Sequence, residues 1–192
     1  MSNSVAIVTG ASSGIGKAKA LRLAREFGAI VLVARSDEQW NTGMELKFHG
    51  ARRLTIRAWD ALRESKGAVV FISGNAAVTP WAGAAAVGAI NAAIEALAKA
   101  FAERGIEDGV QVNSVSPGAI MTGRRLSMLE KVATSKMITL EETKQQFLKQ
   151  AGIARFGEAE EIADLMAFIV SPAARWMTGT VLRMDGGEVK SV

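Results

Sequence analysis

The sequence lacks cysteine and tyrosine, and it contains a single histidine, His49, among 192 residues. Without cysteine the chain cannot form disulfides, a thiolate nucleophile or a cysteine-ligated zinc site. One histidine cannot build a histidine metal cluster, so we expect no metal site. The absence of tyrosine leaves no phenol to act as a proton-transfer acid or base.

Long apolar runs and dense runs of charge are also missing. The 23 basic and 19 acidic residues give a net charge of +4, and the basic residues are dispersed. This pattern weakly favours anionic ligands and argues against nucleic-acid partners. Because no stretch of 18 apolar residues and no signal-peptide pattern occurs, we expect a cytoplasmic protein with no membrane partner. The length predicts a single domain over residues 1–192.

A glycine-rich stretch near the N-terminus, Thr9 to Gly16, is the strongest functional signal in the sequence. An apolar run at 5–9 precedes it, and a helical pattern over 18–27 follows it, with Gly28 as its predicted end. The apolar residues of this helix that recur roughly at helical spacing, and so predict its buried face, are Leu21, Leu23, Ala24 and Phe27. Strand, glycine turn and helix together form a site for a pyrophosphate, which approaches the backbone and meets the helix N-terminus. The predicted contacts in this turn are Gly10, Ser12, Ser13, Gly14, Ile15 and Gly16.

Arg35 and Ser36 follow a second apolar strand, predicted at 30–34. In a βαβ unit that binds a dinucleotide, this point meets the ribose of the adenosine, where an acidic residue favours a free 2′-hydroxyl. A guanidinium instead suits a 2′-phosphate, because it binds two phosphate oxygens at once. The sequence therefore favours NADP(H) over NAD(H), the alternative being a solvated arginine at a strand end.

The remaining pattern alternates helices and buried strands, which is typical of a Rossmann-like, doubly wound parallel α/β sheet in one domain. The helix rich in alanine and glycine allows close approach either of the sheet or of a symmetry-related helix. A polar stretch at 124–150 has the composition of a mobile flap. We predict helices at 37–66, 81–104 and 159–170, and strands at 68–72, 110–115 and 179–184.

These motifs together resemble the classical short-chain dehydrogenase/reductase family. Thr9-x-x-x-Gly-x-Gly, with a short strand before it, is similar to the family's cofactor signature. Further similarities occur in the expected order at 112–118 (N-x-V-x-P-G), 155–163 (R-x-G-x-x-E-E-I-A), 178–179 and 185–187. The resemblance implies an oxidoreductase for a small carbonyl or alcohol substrate, active as a homodimer or homotetramer. It also implies nucleotide contacts from Asn91, Pro117, Gly118, Ile120 and Thr122.

The residues that should perform the proton transfer differ from the family pattern. The family uses a tyrosine, a lysine four residues after it, a serine thirteen residues before it, and an asparagine on the preceding helix. These four positions correspond here to Val87, Asn91, Gly74 and Lys47, at separations of 4 and 13 residues. The catalytic residues are therefore unknown from the sequence.

Three side chains near these positions are candidate substitutes. Lys47 can supply positive charge if it points into the site, but we favour a snorkelling surface lysine. His49 can transfer protons in principle, although a lone histidine on a helix is more often structural. Ser73 lies one residue early, so its side chain should face the other side of the strand.

The chain also lacks a segment that the resemblance implies. After Ser36 it continues directly, at Asp37, into the helix expected before the family's fifth strand, so strands three and four and about 60 residues are missing. Strand four is central, and its loss leaves backbone groups unpaired at about 1–3 kcal/mol each. We hypothesise an unobserved segment between Ser36 and Asp37; an intact mass of 20.3 kDa contradicts this hypothesis.

Three functions are compatible with the sequence. The chain is an NADP(H)-dependent oxidoreductase with an atypical site, a non-catalytic nucleotide-binding sensor or regulator, or a lyase or isomerase on the same scaffold. Fold alone does not separate them.

Overall fold

The computed structural model describes residues 14–24 and 43–191, and the backbone of residues 5–9 and 29–33. Its strands are β1 (Val5–Thr9), β2 (Ala29–Val33), β3 (Ala68–Ile72), β4 (Gln111–Pro117) and β5 (Val181–Met184). Its α-helices are α1 (Gly14–Leu23), α2 (Ala51–Glu64), α3 (Ala85–Asp108), α4 (Gly123–Lys136), α5 (Leu140–Ala151) and α6 (Ala159–Ile169). A π-helical segment, Met44–Gly50, leads into α2.

The described strands form two parallel sheets. β1 pairs with β2, starting from Val5 opposite Ala29, and the second sheet has the order β3-β4-β5. β1 and β3 come within contact distance but form no hydrogen-bonded ladder. This confirms the Rossmann-like α/β class, although the described strands fall into two sheets rather than one. The Ser36–Asp37 junction lies outside the described residues.

β4 is the central strand of the second sheet, and it is buried along its whole length despite several polar side chains. Asn113 is fully buried; its Nδ2 donates to Met177 O at 2.7 Å, and its Oδ1 accepts from Thr180 N at 3.1 Å. Buried amides are tolerated when both ends are hydrogen-bonded. Asn113 thus fastens the segment before β5 to the centre of the sheet.

Replacing Asn113 with alanine should lower the free energy of unfolding by about 1–3 kcal/mol, because Thr180 N loses its acceptor and the removed amide leaves a gap in a fully buried strand. Urea denaturation measures this loss. Ser114→Ala is the matched control, since the Ser114 hydroxyl is equally buried and has no hydrogen-bond partner among the described residues. A cost for Asn113→Ala no larger than that of Ser114→Ala contradicts the role of this amide.

α3 begins and ends about four residues later than predicted. A short 3₁₀ turn, Ala82–Ala84, precedes it, and Gly109 ends it in a left-handed conformation with φ +72°. By length and composition alone the range 82–108 is apolar enough to cross a membrane. Its inner face nevertheless packs in a core cluster, in which the Phe101 ring stacks on Trp59 and Phe71.

The polar stretch predicted as a flap forms two packed helices, α4 and α5. Thr139 starts α5 with a reciprocal capping box to Glu142, which explains its polar sequence at that point. Leu129 is 1% exposed and packs with Phe156, against which the Phe147 ring stacks at 5.3 Å. Composition alone missed this apolar face because its residues are widely spaced.

The motif at 155–163 caps α6. Arg155 makes two hydrogen bonds to Glu161, at 2.8 and 2.6 Å, and Glu161 also accepts from Glu158 N. The bonds from Arg155 hold the pKa of Glu161 down at about 2. Gly157 bridges Ile120, so this cap is tied to the segment that follows β4.

The apolar face of α1 differs from the predicted one. Leu21, which the helical spacing placed in the core, is 63% exposed, whereas Lys19 is 2% exposed. α1 ends at Leu23, and the predicted end at Gly28 lies outside the described residues.

Candidate functional site

Two turns meet at the carboxyl edge of the second sheet. β3 and β4 run parallel, with Ile72 opposite Val115, so the residues after them lie side by side. A β-carbon placed on Gly74 would lie 3.8 Å from Pro117 O. In open α/β sheets ligands bind at this edge.

The glycine turn reaches the same place from the first sheet. Gly14 begins α1 with φ +51°, and a β-carbon there would lie 2.8 Å from Thr122 Cγ2. Thr122 is itself held, because its hydroxyl caps α4 by accepting from Arg125 N at 3.3 Å. The structure therefore brings Gly14 and Thr122, two residues predicted separately, into direct proximity.

The other predicted nucleotide contacts fall into two groups. Ile15 packs beside Ile120 in the cluster around Met166, and Ile120 is 6% exposed, so the Ile120 side chain is used for packing. Gly16 follows in the first turn of α1. Five further predicted residues lie outside the described part of the chain: Gly10, Ser12, Ser13, Arg35 and Ser36.

Gly118 passes very close to the C-terminal turn, an arrangement that sequence reasoning did not anticipate. A β-carbon on Gly118 would lie 2.5 Å from Asp185 Cβ, so only glycine fits. Asn75 Nδ2 donates to Asp185 at 3.1 Å and to Glu188 at 3.0 Å, and Glu188 also accepts from Ala119 N. The one sequence signal for this contact is the motif Asp185-Gly186-Gly187, which points to the family resemblance but not to a contact with Gly118.

The positions that correspond to the usual proton relay carry no phenol and no hydroxyl. Gly74 has no side chain, and Val87 is 48% exposed. Asn91 is 3% exposed, and its Nδ2 lies 3.5 Å from Gly74 O. Ser73 Oγ donates to Glu95 at 2.6 Å and lies 3.3 Å from Val115 O. The Ser73 hydroxyl is therefore buried and already hydrogen-bonded within the protein.

Lys47 points into this edge, which contradicts the snorkelling interpretation. Its ammonium donates to Asn91 Oδ1 and to Ser73 O, the latter at 3.3 Å. Lys47 lies in the middle of the π-helical segment, and such i→i+5 turns are frequent at functional sites. An amine is therefore present beside Asn91, although it comes from a different helix than the resemblance implies.

The surroundings of Lys47 weaken its hold on the proton. Burial and, to a smaller extent, the nearby Arg124 lower the pKa of Lys47 to about 8, while Glu95 opposes both. Burial also lowers the pKa of Arg125, which lies over the Phe147 ring at 4.9 Å. Two cations, Lys47 and Arg124, thus approach one another at the site.

His49 takes no visible part in this arrangement. Its ring packs edge-on against Phe48 at 5.1 Å. Its Nδ1 is buried with no hydrogen-bond partner among the described residues. His49 is partly buried, and these contacts are those of a packed structural histidine.

The residues present fit a dinucleotide. Gly14 turns with a positive φ where the N-terminus of α1 faces Thr122, and Gly74 carries no side chain at the end of β3, whereas the space beside Gly118 is filled by Asp185. The ammonium of Lys47 and the guanidinium of Arg124 add positive charge. Bare backbone, a helix N-terminus and cations are what a pyrophosphate-bearing ligand requires.

Comparison with known proteins shows which family this chain is similar to. The profile of the enoyl-(acyl carrier protein) reductase family matches residues 28–188. An uncharacterised oxidoreductase, YvaG, from Bacillus subtilis is 32% identical over 81% of this chain and 61% of its own length. Acetoacetyl-CoA reductase from Shinella zoogloeoides is 30% identical over 79% and 59%, respectively. The chain thus spans about three fifths of the length of these relatives.

Solved structures agree on the fold. L-Sorbose reductase from Gluconobacter frateurii, complexed with NADPH and L-sorbose, superposes with a TM-score of 0.87 at 23% identity. That comparison covers 100% of this chain and 98% of the other. The NADPH-dependent reductase YwfH, involved in bacilysin biosynthesis, gives a TM-score of 0.84 at 24% identity, covering both chains fully. The chain belongs to the short-chain dehydrogenase/reductase family.

Proposed function

We propose that this chain is an NADP(H)-dependent oxidoreductase with an atypical active site, acting on a small carbonyl or alcohol substrate. The observation that carries this proposal is the meeting of Gly14 and Thr122 beside the bare turn at Gly74. The family profile and the relatives named as oxidoreductases support it. NADPH, when bound, supplies the hydride.

The role of the chain's own residues is to bind and orient the nucleotide. Gly14 and the N-terminus of α1 would hold the pyrophosphate, and the segment from Pro117 to Thr122 would hold the nicotinamide end. At neutral pH Lys47, with a pKa of about 8, holds its proton at Nζ. Since no tyrosine is present, we expect turnover about 10²–10⁴-fold below that of a relay with an aligned phenol.

NADPH preference is the first test. We expect NADPH to bind about tenfold or more tightly than NADH, because the position of Arg35 after the second predicted strand assigns its guanidinium to the 2′-phosphate. Calorimetric titration with both nucleotides measures this ratio. Arg35→Ala should reduce it to about one, whereas Arg57→Ala, which removes an exposed arginine on α2, should leave it unchanged.

Turnover is measured next with a panel of ketones and oxoacyl thioesters. Slow NADPH oxidation dependent on one of these substrates supports the enzyme. Tight NADPH binding with no turnover favours a non-catalytic sensor instead. Equal affinity for the two nucleotides in both wild type and Arg35→Ala contradicts the cofactor assignment.

A further inference from the structure

Lys47 has one more N–H than its protein partners use. An ammonium offers three donors, and the described residues accept two of them, at Asn91 Oδ1 and Ser73 O. The third donor has no acceptor among the described residues. Since the amine lies at the carboxyl edge of β3, this donor is available to a ligand at that edge.

Asn91 is placed to hold the amine rather than to meet a ligand. It is 3% exposed, its Oδ1 accepts from Lys47, and its Nδ2 faces Gly74 O at 3.5 Å. A β-carbon on Gly74 would lie 3.0 Å from this Nδ2, so no room remains around the amide. Both ends of the Asn91 side chain are therefore engaged within the protein.

We propose that Lys47 is the positioning cation of the nucleotide site, delivered from the π-helical segment and anchored by Asn91. The family pattern implies an asparagine at the position of Lys47 and a lysine at the position of Asn91. This chain keeps both groups but exchanges their positions on two neighbouring helices. Lys47 thus holds the nicotinamide half of the dinucleotide, and Asn91 holds Lys47. This inference rests on the proposed function.

The π-helical segment explains how the lysine reaches inward. Its wider winding shifts the direction of each side chain relative to the α-helix that follows. Glu45, two residues earlier, points outward and pairs with Arg53 on α2. Lys47 instead faces Ser73 and α3. The acidic side chain of Glu45 and the basic side chain of Lys47 therefore point to opposite sides of the segment.

If the Lys47 ammonium meets the nucleotide, binding changes the protonation of Lys47, an effect that packing alone does not produce. Burial and Arg124 on α4 disfavour the protonated amine, while Glu95 on α3 favours it. A bound anionic nucleotide adds negative charge and raises the pKa of Lys47 from about 8. Binding at pH 8 must therefore be accompanied by proton uptake, which calorimetry in two buffers of different ionisation enthalpy measures directly.

The experiment compares wild type with Lys47→Asn, Lys47→Met, Asn91→Lys and the double exchange Lys47→Asn/Asn91→Lys. NADPH affinity and proton uptake are measured for each, and circular dichroism establishes that each is folded. We expect Lys47→Asn and Lys47→Met to lose about tenfold in affinity and all proton uptake at pH 8. The double exchange should recover most of the affinity, because it again pairs one ammonium with one amide.

Lys131→Asn, which removes an exposed lysine on α4, is the charge-matched control and should behave as wild type. Wild-type affinity and proton uptake in folded Lys47→Met overturn the inference while leaving the proposed function intact. A double exchange no better than the Lys47→Asn variant also overturns it. If the wild type itself fails to bind NADPH, this result contradicts both the proposed function and the inference that rests on it.

Discussion

Replacing Lys19 with methionine is expected to raise the free energy of unfolding by about 4 kcal/mol at pH 7. Lys19 lies on α1, is 2% exposed, and has no hydrogen-bond or ion-pair partner among the described residues. Burial lowers the pKa of Lys19 to about 7. Methionine has a similar length and flexibility, so it fills the same space without a charge.

The pH dependence follows from the direction of this shift. The folded-state pKa of about 7 lies below the unfolded value of 10.5, so the unfolded chain binds more protons between these two values. The contribution of Lys19 to stability therefore becomes more favourable as the pH rises from 7 to 10.5. The stability of Lys19→Met lacks this contribution, so the advantage of the variant should shrink steadily over the same range.

Urea denaturation at pH 7, 8, 9 and 10 tests this prediction. Lys17→Met is the matched control, because Lys17 is exposed on the same helix and its replacement should change stability by at most about 0.5 kcal/mol. The prediction is contradicted if the gain in the free energy of unfolding of Lys19→Met stays constant with pH, or if it equals the effect of Lys17→Met. Either result shows that burial of the Lys19 amine does not lower its pKa.

Lys19 also shows where the sequence pattern stops being informative. Helical spacing on α1 selected Leu21 as a core residue, yet Leu21 is exposed and Lys19 is buried. The pattern of a ten-residue helix does not determine which of its faces meets α6. Side-chain hydropathy predicts that face only when its apolar residues outnumber those on the other faces, which is not the case here.

Longer and more regular features were predictable. β3 matches its predicted bounds at 68–72, because five apolar residues between a glycine and a serine leave little choice. α3 shows the intermediate case. Its helical character was evident, but it starts at Ala85 after a 3₁₀ turn and ends at Gly109 in a left-handed conformation, and spacing alone indicated neither bound. The C-terminal glycine thus carried boundary information that the apolar pattern lacked.

At the candidate site, sequence predicted which turns take part but not how side chains meet across them. The residue types at Gly74, Val87 and Asn91 were evident from spacing. The direction of Lys47 was not, because it depends on the π-helical segment, which has no recognised sequence signature. The contact between Gly118 and Asp185 joins residues 67 positions apart, and a single sequence contains no information on that distance.

Replacing Gly14 with alanine is expected to weaken NADPH binding by about 10–100-fold. Alanine at φ +51° costs about 1–2 kcal/mol, and its β-carbon would lie 2.8 Å from Thr122 Cγ2 and 3.1 Å from Thr122 Cβ. Thr122 cannot turn away freely, because its hydroxyl caps α4 at Arg125 N. The turn must shift instead, and the N-terminus of α1 moves away from the position at which it meets a pyrophosphate.

A second substitution separates the two causes of this loss. Gly14→Ala/Thr122→Ser removes the methyl group that clashes but keeps the capping hydroxyl, so it should recover part of the affinity. The cost of the positive φ and the tight contact at 3.1 Å with the β-carbon of residue 122 remain. Gly123→Ala is the control, since a β-carbon on Gly123 meets nothing within 4 Å. NADPH titration and urea denaturation of all three variants distinguish a displaced binding turn from general destabilisation. Wild-type affinity in Gly14→Ala contradicts the assignment of the glycine turn as the pyrophosphate site, because no nucleotide could then depend on the approach of Gly14 to Thr122.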